Sequence, residues 1–308
     1  MDVIKLNKDN IRFIDNLSAA IGQFDGLHIA HLELINKAIY IAGNKGLKSA
    51  IITFDPHPDF VLKKQIEETY ITPIEEKIKL IETFNVDYLV IINFTKEVAG
   101  TDPKDFVNDY LVNVGVKEIV CGFDFSFGKF GKGKGTSISE YSNGLINTTI
   151  IDEIKFDNKK IGSTLIRELL MSGDVSKVKE IMGRFYSVTA KVIRGSQIGK
   201  KVGVPTANLE INSDFVDVKS GVYSVLVHHD NKKFLGICNI GHNPTFNYQA
   251  NKRIEVHILN FNKDIYEEEL VVEFLEFLRN ESKFESIEAF QTQIKRDIEN
   301  TLKYKELI

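Results

Sequence analysis

With 308 residues the chain has room for about two domains at the usual ~150 residues each. Its 43% hydrophobic and 27% charged residues are those of an ordinary globular protein, and a net charge of −4 with a pI near 6.0 argues against a general binder of nucleic acid or anionic membrane, which carries a basic surplus. Two isolated cysteines, Cys121 and Cys238, exclude a disulfide framework or a cysteine metal site, and the opening MDVIKLNKDN has no signal pattern, so the expected setting is the reducing cytoplasm. The apolar runs fall short of a membrane span. Partners are therefore expected to be small molecules held by local features, with neither nucleic acid nor membrane involved; a homo-oligomer is left open.

Up to about residue 155 short apolar runs alternate with amphipathic segments, the pattern of a parallel sheet with crossover helices. Candidate strands are Leu17 to Gly22, Ser49 to Phe54, Tyr88 to Asn93, Glu118 to Gly122 and Thr148 to Ile154. Thr72-Pro73-Ile74-Glu75 reads as a capping box with proline at the first helical position, and Asp102-Pro103 opens another helix in a similar way. The expected fold of this half is doubly wound α/β, in which ligands sit at the carboxyl ends of the strands.

Four stretches at or after those ends carry candidate chemistry. In IGQFDGLHIAH (21 to 31) a glycine turn delivers His28 and His31 onto one face at the start of a helix, where free N–H groups, the dipole and two imidazoles suit a phosphate chain. Surface histidines or a zinc pair are the plainer readings. TFDPHP (53 to 58) leaves Asp55 and His57 on a rigid strand tip, as a site or as a structural turn. GFDFSFGKFGKGKG (122 to 135) joins four phenylalanines, which suit a flat heterocycle, to Lys129, Lys132 and Lys134. IGSTLIRELL places Ser163 and Thr164 at a helix start and Arg167 one turn in; they read as a helix cap or as hydroxyls and a guanidinium for a triphosphate.

From near Gly183 the texture changes to short alternating strands: Tyr186 to Ile193, Thr206 to Ile211, Val222 to Val227, Phe234 to Ile240, Arg253 to Leu259 and Leu270 to Phe277. Their number and spacing predict a small antiparallel barrel. Ile287, Phe290, Ile294, Ile298 and Leu302 then form one apolar stripe of a terminal helix, read as core packing on the barrel. The stretch GSQIGKKVGVPTANLE (195 to 210) links a glycine-rich loop to Thr206 and Asn208. Glycines at 195, 199 and 203 let backbone N–H groups approach phosphate oxygens, and an extended chain after Pro205 puts the Thr206 hydroxyl and Asn208 carbonyl on one face as hard oxygen ligands for magnesium. A surface loop entering an edge strand is the bland alternative.

Taken together, GxFDGxHxxH, TFDPHP, GFDFSFG, STLIR and GxxxGxxxGxPTAN resemble the prokaryotic bifunctional FAD synthetases, which join an FMN adenylyltransferase to a riboflavin kinase; the resemblance covers nearly the whole chain. It implies an adenylyltransferase domain over residues 1–183 and a kinase domain over 184–308, with Mg²⁺ as cofactor and ATP and flavins (riboflavin, FMN, FAD) as substrates and products. Gly22, Phe24, Asp25, His28 and His31 would surround one ATP, with Ser163, Thr164 and Arg167 on its phosphates. His57, Pro58, Asp124, Phe125 and Phe127 would face the flavin side. In the second half SGVYSV, NIGHNPTF, IEVHIL and LRNESKF follow the riboflavin kinase order. The resemblance then assigns Gly195, Gly199, Lys201, Gly203, Pro205, Thr206 and Asn208 to the second ATP and its magnesium, and makes Glu255 the base for the riboflavin 5′-hydroxyl. One departure is Ala30, where the family usually has glycine between the two histidines. It motivates an alternative in which only the kinase remains active.

Overall fold

The computed structural model describes residues 1–62, 69–195, 203–211, 214–242 and 252–308. Gly199, Lys201 and residues 243–246 of NIGHNPTF lie outside them. The chain divides into two compact units, Met1–Ser163 and Thr164–Ile308.

The first unit is built on a parallel sheet. Its strands are β1 (Asp2–Leu6), β2 (Leu17–Ile21), β3 (Lys48–Asp55), β4 (Tyr88–Asn93) and β5 (Val116–Gly122), then, after a two-residue pair β6 (Ser126–Phe127) and β7 (Gly133–Lys134), β8 (Asn147–Ile151). The order across the sheet is β1-β4-β3-β2-β5-β8, and every neighbouring pair is parallel. Short strands β9 (Lys155–Phe156) and β10 (Lys159–Lys160) form a separate hairpin. Runs such as LSAAI and SAIITF are apolar throughout because both faces of a parallel sheet are covered. Ala19, Ile21, Ala50 and Ile52 lie in one core cluster, whereas Ala20 and Ile51 lie in another, as the two-residue strand period requires.

The helices of this unit are α1 (Ile29–Lys45), α2 (Pro58–Val61), α3 (Ile74–Glu82), α4 (Lys96–Gly100), α5 (Pro103–Val107), which runs on into a π turn, and α6 (Ile138–Tyr141). Leu34, Ile35 and Ala38 of α1 and Ile81 of α3 close one face; Phe106 and Val107 of α5 and Ile138 of α6 close the other. The doubly wound expectation is met. The cap at Asp102 forms, its Oδ1 accepting from the Lys104 N–H at 2.9 Å. The capping box at Thr72 does not: Pro73 is the cap residue, without a side-chain bond, and the Thr72 N–H is donated to Asp25 Oδ1 at 3.0 Å. The chain winds outward from β2 through β3 to β4 and then returns to set β5 on the other side of β2. The carboxyl ends of β2 and β5 therefore flank the switch point where such sheets take ligands.

In the second unit α7 (Ser163–Ser172, its first residue in the first unit) and α8 (Val175–Met182) lead into a closed antiparallel barrel. Its strands are β11 (Tyr186–Ile193), β12 (Ala207–Ile211), β13 (Gly221–His229), β14 (Lys232–His242), β15 (Lys252–Ile258) and β16 (Glu269–Arg279), in the order β11-β12-β15-β14-β13-β16. Helix α9 (Ile287–Thr301) follows; Ser286 caps it, and the hydroxyls of Thr301 and Ser224, 2.8 Å apart, tie it to β13. Packing divides the chain earlier than the expected 183/184 boundary because α8 lies on β11 and β16.

Candidate functional sites

Where β2 ends, the backbone turns through left-handed conformations at Phe24 (φ 53°), Gly26 (φ 87°) and Leu27 (φ 42°). For a phenylalanine this conformation costs on the order of 1–3 kcal/mol and persists only where the surroundings hold it. Four hydrogen bonds hold it here. Thr53 Oγ1 and Lys77 Nζ both donate to the Gln23 carbonyl, at 3.0 and 2.8 Å, and the fully buried Asp25 accepts the Ile71 N–H as well as that of Thr72. Ser163 Oγ donates to the Asp25 carbonyl at 3.0 Å. The buried Phe24 ring then stands edge-on to His31, with centroids 5.0 Å apart.

His28 is the N-cap of α1. Its Nδ1 accepts the His31 N–H at 3.3 Å, which leaves the proton of the neutral ring on Nε2. The two imidazoles stack with centroids 3.6 Å apart and planes 12° from parallel. His31 is half-buried, but its Nδ1 is sealed from solvent and has no hydrogen-bond partner among the described residues. Burial, then His28 and Lys77, hold its pKa well below the usual histidine value, so it is neutral at pH 7. Gly22 borders the Phe24 ring, which an added Cβ would meet at 3.4 Å. Ala30 is the second residue of α1 and half-buried.

The other first-unit candidates divide between packing and surface. His57 caps α2, of which Pro58 is the first residue; its Nδ1 accepts the Asp59 N–H at 3.1 Å and its ring lies 5.1 Å from that of Phe60. Its backbone N–H reaches the Tyr70 hydroxyl, which donates to Asp55. Burial pushes that phenol up to about 12. Of the four phenylalanines after β5, Phe123 and Phe130 are exposed, Phe125 is half-buried against the core, and Phe127, 5% exposed, is in it beside Phe106. Phe127, expected on the flavin side, has its ring packed above Gly133, where any Cβ would lie 2.5 Å from it. Asp124 is exposed and ion-paired to Lys160. Thr164 and Arg167 lie one turn apart on α7 and belong to the second unit.

In the second unit a cavity of about 640 Å³ lies against the barrel wall, with Thr206, Asn239, Glu255, His257, Arg279 and Glu281 on its polar side and Ile287, Phe290 and Ile294 of α9 on its apolar side. Ile254, Val256 and Ile258 are buried, so the strand period puts the half-buried Glu255 and His257 on the opposite face, toward the cavity. Glu255 stands directly across from Asn208 on β12 and from Asn239 on β14. Asn208 lies against Gly195: a Cβ on Gly195 would fall 2.1 Å from its Nδ2 and 2.2 Å from its Cγ. Gly203 adopts φ 80°, a conformation that favours glycine. His257 Nδ1 bonds the Pro205 carbonyl at 2.7 Å and fixes the entry to Thr206.

The apolar wall has its own brace. Arg279, at the end of β16, donates Nε and Nη2 to Asp297 of α9 at 2.8 to 3.2 Å, and its Nη1 reaches the Asn280 carbonyl and the Ser282 hydroxyl. Asp297 is 1% exposed and also accepts from Gln293 at 2.9 Å. The segment so held carries Phe284, whose ring packs edge-on to Phe290 with centroids 5.4 Å apart.

Comparison with protein families matches two models in succession: FAD synthetase over residues 11–165 and riboflavin kinase over residues 182–305. The chain belongs to the bifunctional riboflavin kinase/FMN adenylyltransferase family. It is 38% identical to the family member of Listeria monocytogenes, covering 93% of this chain and 91% of that one, and 35% identical to the member of Bacillus subtilis over 92% and 91%. A crystal structure from Streptococcus pneumoniae, described as a macrolide-efflux protein, superposes with a TM-score of 0.89 at 28% identity, covering 97% of this chain and 98% of its own. Among the described residues no helix is long and apolar enough to cross a membrane. The family regions end and begin close to the helices α7 and α8, and both bifunctional relatives span them. ATP and flavins are the family's substrates, and relatives with both activities favour the two-activity reading over the kinase-only alternative drawn from Ala30.

Within this family fold, a further sequence expectation needs correction. The α9 stripe is not uniform core: Ile287, Phe290 and Ile294 line the cavity, Ile298 packs on the barrel cluster around Leu226 and Leu275, and Leu302, expected to pack there too, is 44% exposed. Asn239, His257, Arg279 and Glu281 were within motifs of the sequence but carried no individual signal. The two-residue period from Glu255 to His257 is the one cue that was available.

Proposed function

We propose that the two activities divide at about residue 183, with riboflavin phosphorylated at the barrel cavity and FMN adenylylated at the β2–β5 crevice. In the first step the riboflavin 5′-oxygen attacks the γ-phosphorus of ATP, the bond to the ADP oxygen breaks, and the hydroxyl proton passes to the Glu255 carboxylate. The backbone around Gly195, Gly199, Lys201, Gly203 and Pro205 receives the phosphates. Thr206 and Asn208 offer hard oxygens beside that carboxylate, a donor set that fits magnesium, and the cradle under Gly195 holds one of them in place. Bound magnesium supplies charge neutralisation on the phosphates. The planar flavin would lie against Phe284 and Phe290, between the apolar wall and the polar strand ends.

In the second step an FMN phosphate oxygen, already ionised at neutral pH, attacks the α-phosphorus of a second ATP and pyrophosphate leaves. No base is needed, so rate comes from placement and charge stabilisation. His28 donates through Nε2–H; His31 stacks on it and joins it on the phosphates, with Ser163. Gly22, Phe24 and Asp25 shape the ATP side; His57, Pro58, Asp124 and Phe125 are assigned to the flavin side. The cytoplasm, where ATP is plentiful, is the expected setting.

The observation that carries this reading is the placement of Glu255 between Asn208 and Asn239 on a cavity with an aromatic wall. Glu255→Ala should abolish FMN formation and spare FAD formation from added FMN, while His31→Ala should do the reverse. Loss of both activities in either variant would contradict two separable sites.

A further inference from the structure

Lys77 of α3 is 1% exposed, the one lysine among the described residues in the buried class. Its neighbour Lys79, two residues on, is exposed and pairs with Glu76. A buried ammonium is costly unless it is paired and hydrogen-bonded. Among the described residues, the single hydrogen bond of Lys77 goes to the Gln23 carbonyl, 2.8 Å away, immediately before the left-handed Phe24. The titratable groups around it come from three directions: Asp25 after β2, Asp55 at the end of β3, and His31, neutral, on α1. His31 is also faced by His28 from its own helix start.

We propose that Lys77 is a positioning residue for adenylyl transfer, one that fixes the Gln23–Phe24 turn against His31 and keeps a positive charge behind the two imidazoles. It touches neither substrate and acts through His31; the inference therefore rests on the assignment of His31 to the transfer site. Geometrically, Lys77 and Thr53 grip the same carbonyl, and releasing it frees a strained phenylalanine whose ring stands 5.0 Å from the His31 ring. Electrostatically, the ammonium adds to the burial and the neighbouring imidazole that disfavour protonation of His31. Removing the charge alone must then let His31 take up a proton at higher pH.

The two effects separate in a pair of near-isosteric variants of the full-length chain. Lys77→Met removes both the grip and the charge; Thr53→Val removes only half of the grip. FAD formation from FMN and ATP is followed from pH 5 to 9, with the melting temperature and the riboflavin kinase rate measured on the same samples and His31→Ala as reference. Lys77→Met should slow FAD formation on the order of tenfold and move the acid-side inflection to higher pH, with the kinase rate unchanged. Thr53→Val should slow it without moving the inflection. A slower Lys77→Met with an unmoved inflection would reduce Lys77 to a structural residue and overturn the proposal. Full activity in Lys77→Met beside an inactive His31→Ala would also overturn it while leaving the site assignment intact. An active His31→Ala would remove the site assignment and this inference together.

Discussion

Gly195→Ala is a demanding test of the barrel site because the perturbation is one methyl group at a place the structure fills completely. That methyl would lie 2.1 Å from Asn208 Nδ2, 2.2 Å from Cγ and 2.5 Å from Oδ1. Carbon contacts are comfortable at about 3.5–4.0 Å, so either the loop or the amide must withdraw by about 1 Å or more. Asn208 cannot withdraw freely, since its backbone pairs with Ile193 on one side and Glu255 on the other. A displacement of about 1 Å in a positioning group can lower a rate ~100-fold, or about 2.7 kcal/mol of transition-state stabilisation. The assay is kcat/KM for riboflavin phosphorylation, with FAD formation from FMN on the same preparation as the internal control. A double-mutant cycle localises the effect: in an Asn208→Ala background the alanine at 195 should cost little more, because the amide it strikes is gone. A Gly195→Ala enzyme that phosphorylates riboflavin at the parental rate would refute the reasoning.

Two further outcomes are expected. Asp297→Ala strips the partner from Arg279 and should destabilise the second unit by about 3 kcal/mol, read as a lower urea midpoint, with KM for riboflavin raised because the segment carrying Phe284 loses its anchor; an unchanged midpoint would show that Ser282 and Asn280 hold Arg279 without it. Burial pushes the Cys121 thiol up to about 11 and raises that of Cys238 further, so both stay protonated below pH 9 and native protein should resist iodoacetamide at pH 8, then label at two sites once denatured. Rapid labelling of the native chain would contradict the burial.

The large elements were legible in the residues because hydrophobic pattern alone specifies them. LSAAI, SAIITF and YLVIIN read as buried parallel strands, and the change to alternating strands after Gly183 read as a barrel; both formed. Glu255 was legible through its motif, and its orientation followed from the buried Ile254 and Val256 on either side. What escaped was decided by contacts between residues distant in the chain. Strand β1 escaped because an edge strand needs few buried residues and only Leu6 of DVIKL is buried. The Thr72 capping box lost to a competitor 47 residues away, the buried Asp25 carboxylate. Lys77 looks like Lys79 in sequence, and only the fold distinguishes the buried one from the exposed one. The stripe on α9 showed that one helix face is apolar but not that its first turns border a cavity while its last turns meet the barrel.

The measurement that tests the account most directly is a chromatographic time course of flavins, with the purified protein, ATP and magnesium mixed with riboflavin in one vessel and with FMN in another. The account predicts FMN rising and then giving way to FAD in the first vessel, and FAD without a lag in the second. FMN accumulating in the first with no FAD in either would contradict the two-activity enzyme and leave a kinase beside an inactive N-terminal domain.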